Sequence, residues 1–350
     1  MEENYLLKGF NTFGLNSIAK GFVRVDTEAE LQELPELLTK FNSYLILGGG
    51  SNVLLPDFFD GLVVHINMQK LHSRESGNEV LVNVGAGMNW HEFVKWTVDQ
   101  NYGGIENLAL IPGKTGAAPI QNIGAYGVEM KDVLVCLKAF HLDTGKFQVY
   151  NHEACEMKYR DSVFKNRLMG KVIIADMWIK LTHRDHQLNL TYGALKNYLE
   201  DKGIESPVIR DVFESVIEIR QSKLPDPAVI GNAGSFFKNP VVPCSKADLI
   251  MEKHPDLVFY PIDDQQVKIP AGWLIEQCGF KGKYNGQVGC FEKQALVLVN
   301  IGSAKAAELV AHAAEVQSAV YAEFGLMLEP EVNIIHPHLY GGKLNLSSVQ

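Results

Sequence analysis

The apolar positions of this chain form short runs in its first half and longer, helically spaced sets toward its end. LVVHI (62–66) and VLVNV (80–84) are β-branched runs of strand length. SYLILGGGSNVLL (43–55) reads as strand, glycine turn, strand. Residues 28–42 carry a helical pattern that Pro35 interrupts. Asn89 suits the N-cap of a helix whose Trp90, Phe93, Val94 and Val98 share one face. VLVCLKAFHL and FQVY flank DTGK as a hairpin, and KVIIADMWIKL (171–181) is a further strand. Residues 211–221 predict a helix. Ser303 is the expected N-cap of a long helix presenting Leu309, Ala313, Val316, Val320 and Phe324 to a core. Nothing repeats. Strands dominate the first half and helices mix with strands in the second, which predicts an α+β architecture rather than a doubly wound sheet.

One stretch breaks the pattern. GGIENLALIPGKTGAAPIQNIGAYGVEM (103–130) has little periodicity, many glycines and almost no charge. A surface linker would be more polar, and so long a loop in a packed protein is usually functional. It predicts a segment that wraps a ligand.

Length and charge narrow the classes. The chain has 350 residues, 46% hydrophobic and 21% charged, enough for two or three domains with buried cores. A formal net charge of −9 argues against a nucleic-acid partner, which needs basic surface. It leaves room for an anionic small molecule in a local basic pocket. MEENYLLKGFNTFGLNS (1–17) lacks the basic start and apolar core of a signal peptide, and no apolar run approaches the roughly 20 residues of a membrane span. The expected setting is the cytoplasm, without a membrane partner, and the expected state is a monomer. Cys136, Cys155, Cys244, Cys278 and Cys290 include no CxxC pair, so neither a disulfide framework nor a metal site is expected.

Five stretches carry candidate chemistry. Gly48-Gly49-Gly50-Ser51-Asn52 follows the strand YLIL. Glycines let the backbone approach a phosphate closely, and Ser51 and Asn52 add side-chain donors. The motif is neither a GxGxxG fingerprint nor a Walker loop, because a strand follows it instead of a helix. Alone it reads equally well as a tight turn. The loop from Pro112-Gly113 to Tyr126-Gly127 packs small residues suited to a flat ligand and offers Gln121 and Asn122 to a heterocycle edge. Two glycine loops about sixty residues apart fit one extended dinucleotide between them. Arg160, in Tyr159-Arg160-Asp161-Ser162, suits bidentate pairing with a carboxylate or an ordinary surface pair with Asp161. Ser235 sits in GNAGSFFKNP (231–240), where Phe237 replaces the last glycine of a nucleophile elbow and no histidine has a triad context. Glu331 follows Pro330 in LEPEV (328–332), which holds the backbone extended around it; a lone glutamate is otherwise solvated surface.

Together these stretches resemble the UDP-N-acetylenolpyruvoylglucosamine reductase family. NTFGLNSIA (11–19), LGGGSNVLL (47–55), NLALIPGKTGAAPIQNIGAYGVE (107–129), YRDSVFK (159–165), RQSKLPDPAVIGNAGSFFKNP (220–240), AGWLIEQCGFKG (271–282) and LEPEV occur in the family's order over nearly the whole chain. LTYGALK (190–196) resembles the tyrosine loop of its longer subtype. The resemblance implies an FAD-binding fold of the vanillyl-alcohol-oxidase (PCMH) type followed by a C-terminal α+β substrate-binding domain. Its parts would be residues 1–70 with a return at 332–350, residues 71–210 including the tyrosine loop, and residues 211–331. It implies FAD, bound non-covalently by Gly48, Gly49, Gly50, Ser51, Asn52, Pro112, Gly113, Gly116, Gln121, Asn122, Gly124, Ala125, Gly127 and Arg160, with NADPH as hydride donor.

The implied reaction reduces UDP-N-acetylglucosamine enolpyruvate to UDP-N-acetylmuramate, a peptidoglycan precursor. In that scheme Arg160 stabilises charge developing next to the substrate carboxylate, Glu331 is its partner, and Ser235 donates a proton with help from Lys223 or Lys238. Tyr192, Lys223, Asn239 and Gln294 match positions near the UDP diphosphate. Phe291 stands where the family's pattern has a histidine, and no role attaches to it. Two rival classes exist. One is a flavin oxidase of the same fold, against which GNAGSFFKNP argues; the other is a non-catalytic nucleotide-binding module, in which NADPH would not bleach a bound flavin.

Overall fold

The structure, a computed structural model, describes residues 1–336. It opens on a four-stranded sheet in which Ile18–Val25, Phe58–Ile66 and Tyr44–Leu47 lie parallel and Glu2–Leu6 adds an antiparallel edge. Strands of a parallel sheet are covered on both faces and so read as continuous apolar runs. LVVHI is such a run, with His65 its only polar member. Helix α1 (Glu28–Leu38) links the first two parallel strands. Thr27 and Glu30 form its capping box, the Glu30 carboxylate accepting from the Thr27 N–H at 2.9 Å. Pro35 lies inside α1 and does not end it. So near the C-terminal end, its missing N–H removes one bond, and the chain then turns through Thr39–Phe41, so the helix stops short of residue 42.

A five-stranded antiparallel sheet follows, in the order Lys146–Asn151, Leu134–His141, Val172–Thr182, Glu79–Gly85, Leu71–Ser76. Helix α2 (Trp90–Asp99) is capped by Asn89, whose Oδ1 accepts from the Glu92 N–H at 3.1 Å. It buries Trp90, Phe93, Val94 and Val98, the face its spacing predicts. Helices α3 (Gly193–Asp201) and α4 (Ile209–Lys223) come next. The expected change of domain at residue 211 does not coincide with the change of core: Ile209, Val212, Phe213, Val216 and Ile219 of α4 pack in the first large cluster, with α2 and the antiparallel sheet.

The remaining chain builds a second core around the antiparallel strands Gly231–Ser235, Gln294–Asn300 and Val288–Phe291, with helices α5 (Cys244–Met251), α6 (Ala271–Gln277) and α7 (Ala306–Phe324). Leu309, Ala313, Val316, Val320 and Phe324 of α7 are buried in it as a single face. Ser303 is not the N-cap. Asn300 Oδ1 accepts from Gly302 and Ala304 at 3.0 and 3.2 Å, holding Ser303 in a turn, and the helix begins after Lys305. The chain finally returns to the first sheet, where Asn333–Ile334 runs parallel to Val53–Leu54 and Ile335 joins the small core under the parallel strands. Residues 337–350 of the expected return lie outside the described residues. Sheets and helices are thus mixed as an α+β architecture. No helix among the described residues is long and apolar enough to cross a membrane.

Candidate active site

A cavity of about 720 Å³ is lined by both large cores and by the returning segment. One wall is backbone. Gly48 to Asn52 and Pro112, Gly116, Gln121 and Gly124 all line it. Gly50 has φ +64°, and a Cβ there would collide with the Phe10 carbonyl oxygen. A Cβ on Gly49 would lie 2.9 Å from the Gly113 Cα, so the two glycine loops touch backbone to backbone. Ser51 Oγ donates to the Pro112 carbonyl at 3.1 Å. Asn52 Nδ2 donates to Gln121 Oε1 at 2.8 Å and to the Glu331 carbonyl at 3.3 Å. The N–H and the side-chain amide of Asn333 both donate to the Asn52 carbonyl at 3.0 Å. Asn52 therefore ties both glycine loops to the returning segment. The backbone N–H groups of Gly49, Gly50, Ser51 and Asn52 donate to no acceptor among the described residues. Buried or half-buried N–H groups are rarely left unpaired, and consecutive ones suit an anion.

Four residues expected at the cofactor do not line the cavity. Asn122 is fully buried. Its amide donates to Glu129 Oε2 and to the Lys158 carbonyl, its Oδ1 accepts from the Lys131 N–H at 2.9 Å, and it is a tie within the loop. Ala125 lies in the small Gly124–Ala125 and Val128–Glu129 hairpin. Gly127, at φ +85°, packs its Cα against the Asn189 amide. Gly113 makes the close approach to Gly49 and Ser51 without facing the space itself.

The opposite wall is built from side chains. The Glu331 N–H donates to the Phe236 carbonyl and the Lys238 N–H to the Glu329 carbonyl, both at 2.8 Å, so residues 236–238 run antiparallel beside 329–331. This pairing carries Ser235 and Glu331 to one side of the cavity. Ser235 ends its strand after Gly234, which has φ +69°, and its hydroxyl has no hydrogen bond to a described residue. Arg160 arrives from the other core, with φ +53°. Its Nη2 donates to the Gly124 carbonyl at 3.0 Å, and its Nε lies 3.0 Å from Glu331 Oε1 but off the line of a hydrogen bond. Both side chains are largely buried, so the pair is worth more than a surface one. Lys238 also lines the cavity and pairs with Glu329 at 3.0 Å. Lys223 is exposed and does not line it. No histidine among the described residues lines it either.

Tyr192, Asn239 and Gln294 also lie outside this cavity. Asn239 and Gln294 each lie at the start of α6: Asn239 Oδ1 accepts from the Ala271 N–H at 2.9 Å, and Gln294 Oε1 would lie 2.8 Å from a Cβ on Gly272. Tyr192 packs edge-on against Tyr126 at 5.3 Å, and burial, with Tyr260 nearby, pushes its phenol up from the ordinary range. Sequence reasoning missed Tyr159, Lys268, Arg220 and Lys114 as a set. Lys268 and Arg160 both lie over the Tyr159 ring, at 5.0 and 5.5 Å. Arg220 and Lys114 line the cavity without an ion pair or side-chain hydrogen bond to a described residue. The signal for Arg220 lies in RQSK (220–223), three positions ahead of Lys223.

All five cysteines are free thiols. Cys290 Sγ lies 3.6 Å from His312 Nε2, and His312 Nδ1 lies 3.6 Å from Glu315, an outline like a nucleophilic triad. Burial pushes the Cys290 thiol up to about 12, so the group stays protonated and packs as core.

Residues 226–335 match the family model for the UDP-N-acetylenolpyruvoylglucosamine reductase C-terminal domain, and residues 19–150 match an FAD binding domain. A UDP-N-acetylenolpyruvoylglucosamine reductase of Flavobacterium johnsoniae is 45% identical over 336 residues, 96% of this chain and 99% of the relative. The chain belongs to the UDP-N-acetylenolpyruvoylglucosamine reductase family. A UDP-N-acetylenolpyruvoylglucosamine reductase of Bdellovibrio bacteriovorus is 46% identical, covering 95% of this chain and 98% of its own. The crystal structure of the Thermus caldophilus reductase superposes with a TM-score of 0.65 at 25% identity, covering 95% of this chain and 98% of that one. The fold is that of the reductase family, an FAD binding domain completed by the family's C-terminal domain.

Proposed function

We propose that this chain is the FAD-dependent, NADPH-consuming reductase that converts UDP-N-acetylglucosamine enolpyruvate to UDP-N-acetylmuramate for peptidoglycan synthesis. The observation that carries the reading is the convergence of Ser235, Arg160 and Glu331 on one cavity whose other wall is a glycine cradle with free N–H groups. Those N–H groups suit a dinucleotide diphosphate, and the touching glycine loops leave room for a flat ring system. The glycine cradle of residues 48–52 would hold FAD, which would supply the hydride chemistry between NADPH and the terminal vinyl carbon of the substrate.

The chain's own residues handle the charge. Adding hydride to the terminal carbon places an electron pair on the adjacent carbon, from which it spreads into the carboxylate. Arg160 stabilises that charge, and its fixed hold on Gly124 and Glu331 means it need not reorganise to do so. Ser235 then donates the proton that completes the saturated product. Its hydroxyl is free to do this, and Lys238, on the same wall, is the cation placed to ease the proton's departure. A hydrolytic role for Ser235 lacks a histidine base among the described residues that line the cavity. Tyr192, packed on Tyr126, and Asn239 and Gln294, each at the start of α6, are the residues this reading assigns to the nucleotide portion. The parts read as residues 1–70 with the return, 71–210, and 211–331, with α4 packed on the flavin-binding parts. NADPH and a nucleotide-sugar substrate place the work in the cytosol.

The test is an anaerobic titration. The purified protein should be yellow, bleach with NADPH, and regain colour on adding the enolpyruvyl nucleotide. Bleaching that only oxygen reverses would identify an oxidase instead.

A further inference from the structure

The cavity is lined by five cationic side chains, and their partners divide them. Arg160 pairs with Glu331, Lys238 with Glu329, and Lys165 Nζ donates to the Arg160 carbonyl at 3.2 Å. Arg220 stands near Arg160 and Tyr126, at the reacting end. Lys114 stands apart from all of these. Its stem packs on Gly48, with Cβ 3.4 Å from where a Gly48 Cβ would be. It is half-buried and makes no ion pair or side-chain hydrogen bond with a described residue.

No described residue offers Lys114 a counter-ion. Asp26 is already held by Arg24 at 2.8 Å and by the Asn67 amide at 2.6 Å. Burial, and then Arg24 as a like charge, hold the Lys114 ammonium below its ordinary pKa. A cation that loses solvation and meets a like charge is unfavourable unless an anion completes it. The same spot holds the four unpaired N–H groups of Gly49 to Asn52, at the carboxyl end of the parallel strand Tyr44–Leu47, where open sheets that contain parallel strands bind ligands.

We propose that Lys114 supplies the counter-charge for the diphosphate of the bound dinucleotide, completing a site that the glycine N–H groups begin. This rests on the reading that the cavity holds FAD. The backbone N–H groups fix the position of the diphosphate, and Lys114 neutralises part of its charge where it is least solvated. Lys114 is therefore a retention residue for the cofactor, distinct from the side chains of the reacting wall.

The experiment measures the rate at which FAD leaves the holoenzyme after dilution, followed by the rise in flavin fluorescence. It is run for the wild type, Lys114→Met and Lys114→Arg, from low salt to about 1 M, where the Debye length is only about 3 Å. Lys114→Met should release FAD about tenfold faster at low salt, the size of one charge-assisted contact. The difference should shrink as salt rises, and Lys114→Arg should stay close to the wild type. Release from Lys114→Met at the wild-type rate overturns the proposal. So does an acceleration of equal size at every salt concentration, which would assign the effect to the stem packed on Gly48. A wild-type protein that holds no flavin overturns the FAD reading itself, whereas normal wild-type retention with an unchanged variant overturns the role of Lys114 alone.

Discussion

Gly50 and Ser235 both face the cavity, and the chain places them by different means. Gly50 belongs to a wall where recognition is by backbone. Its loop is contiguous, its partner loop touches it Cα to Cα, and there is no space for one added carbon. Ser235 belongs to a wall where the chemistry lies in side chains. That wall is assembled from residues 160, 235–238 and 329–331, held together by strand pairing and an ion pair. The backbone wall is local and fails abruptly when altered. The side-chain wall is long-range, and single groups can be removed from it while the scaffold stands.

The largest effect that would sharpen this contrast is on chemistry alone. Ser235→Ala should leave flavin reduction by NADPH near the wild-type rate and slow reoxidation by the enolpyruvyl substrate about 10²–10⁴-fold, the range of general acid catalysis. Stopped-flow measurement of the two half-reactions separates them; slow reduction with normal reoxidation would remove Ser235 from the proton-donor role. Gly50→Ala should do the reverse, damaging structure before chemistry. A side chain at positive φ that also strikes the Phe10 carbonyl should lower stability by on the order of 3 kcal/mol and release FAD. Urea unfolding together with flavin content checks this, and a stable, flavin-loaded variant would break the comparison.

His65 lies beneath the backbone wall, paired in register with Leu47, and is 7% exposed. Burial, then Lys114 and Arg24, lower its pKa from 6.5 to about 4. Between those values the unfolded chain binds a proton that the folded chain refuses. Stability should therefore be level above about pH 6.5 and fall as pH drops toward about 4, by roughly 3 kcal/mol. His65→Leu should flatten that limb in urea unfolding at pH 7 and 4.5, and an unchanged acid loss would place its cause elsewhere. The smallest effect belongs to neither wall. Tyr192→Phe removes one hydroxyl outside the cavity and should raise the substrate's Michaelis constant by about tenfold or less, with flavin reduction unaltered. Slower reduction at normal KM would move Tyr192 to the flavin.

The backbone wall was legible in the sequence because its requirement is local: glycines where a side chain cannot fit and polar residues beside them. Asn89 as a cap and the buried face of α7 were legible for the same reason, since a few neighbouring residues decide each. Ser303 misled because the competing cap-like group, the Asn300 side chain, sits on the preceding strand and holds the turn first. Asn122 misled because an amide in a ligand loop reads as a donor to the ligand, whereas burial turns it inward to Glu129 and Lys158. Without the family resemblance, Arg160 and Glu331 were two isolated ions with surface readings. Their pairing depends on residues 236–238 lying beside 329–331, which no local pattern encodes. Lys114 was overlooked inside a motif read for its small residues.

The ties made by Asn52 bear on how the molecule is manufactured. Its side chain and carbonyl hold Glu331 and Asn333, 279 and 281 positions further along. During synthesis the earlier parts of a chain fold first, so both glycine loops emerge long before the segment that closes the cavity. Until that segment arrives, Val53–Leu54 lacks the strand that later lies beside it, a small open edge of the kind that invites wrong pairing. A ribosome stalled before residue 329 would therefore present the glycine cradle without Glu329, Glu331 or Asn333, and cofactor loading would be among the last events in the birth of the active molecule.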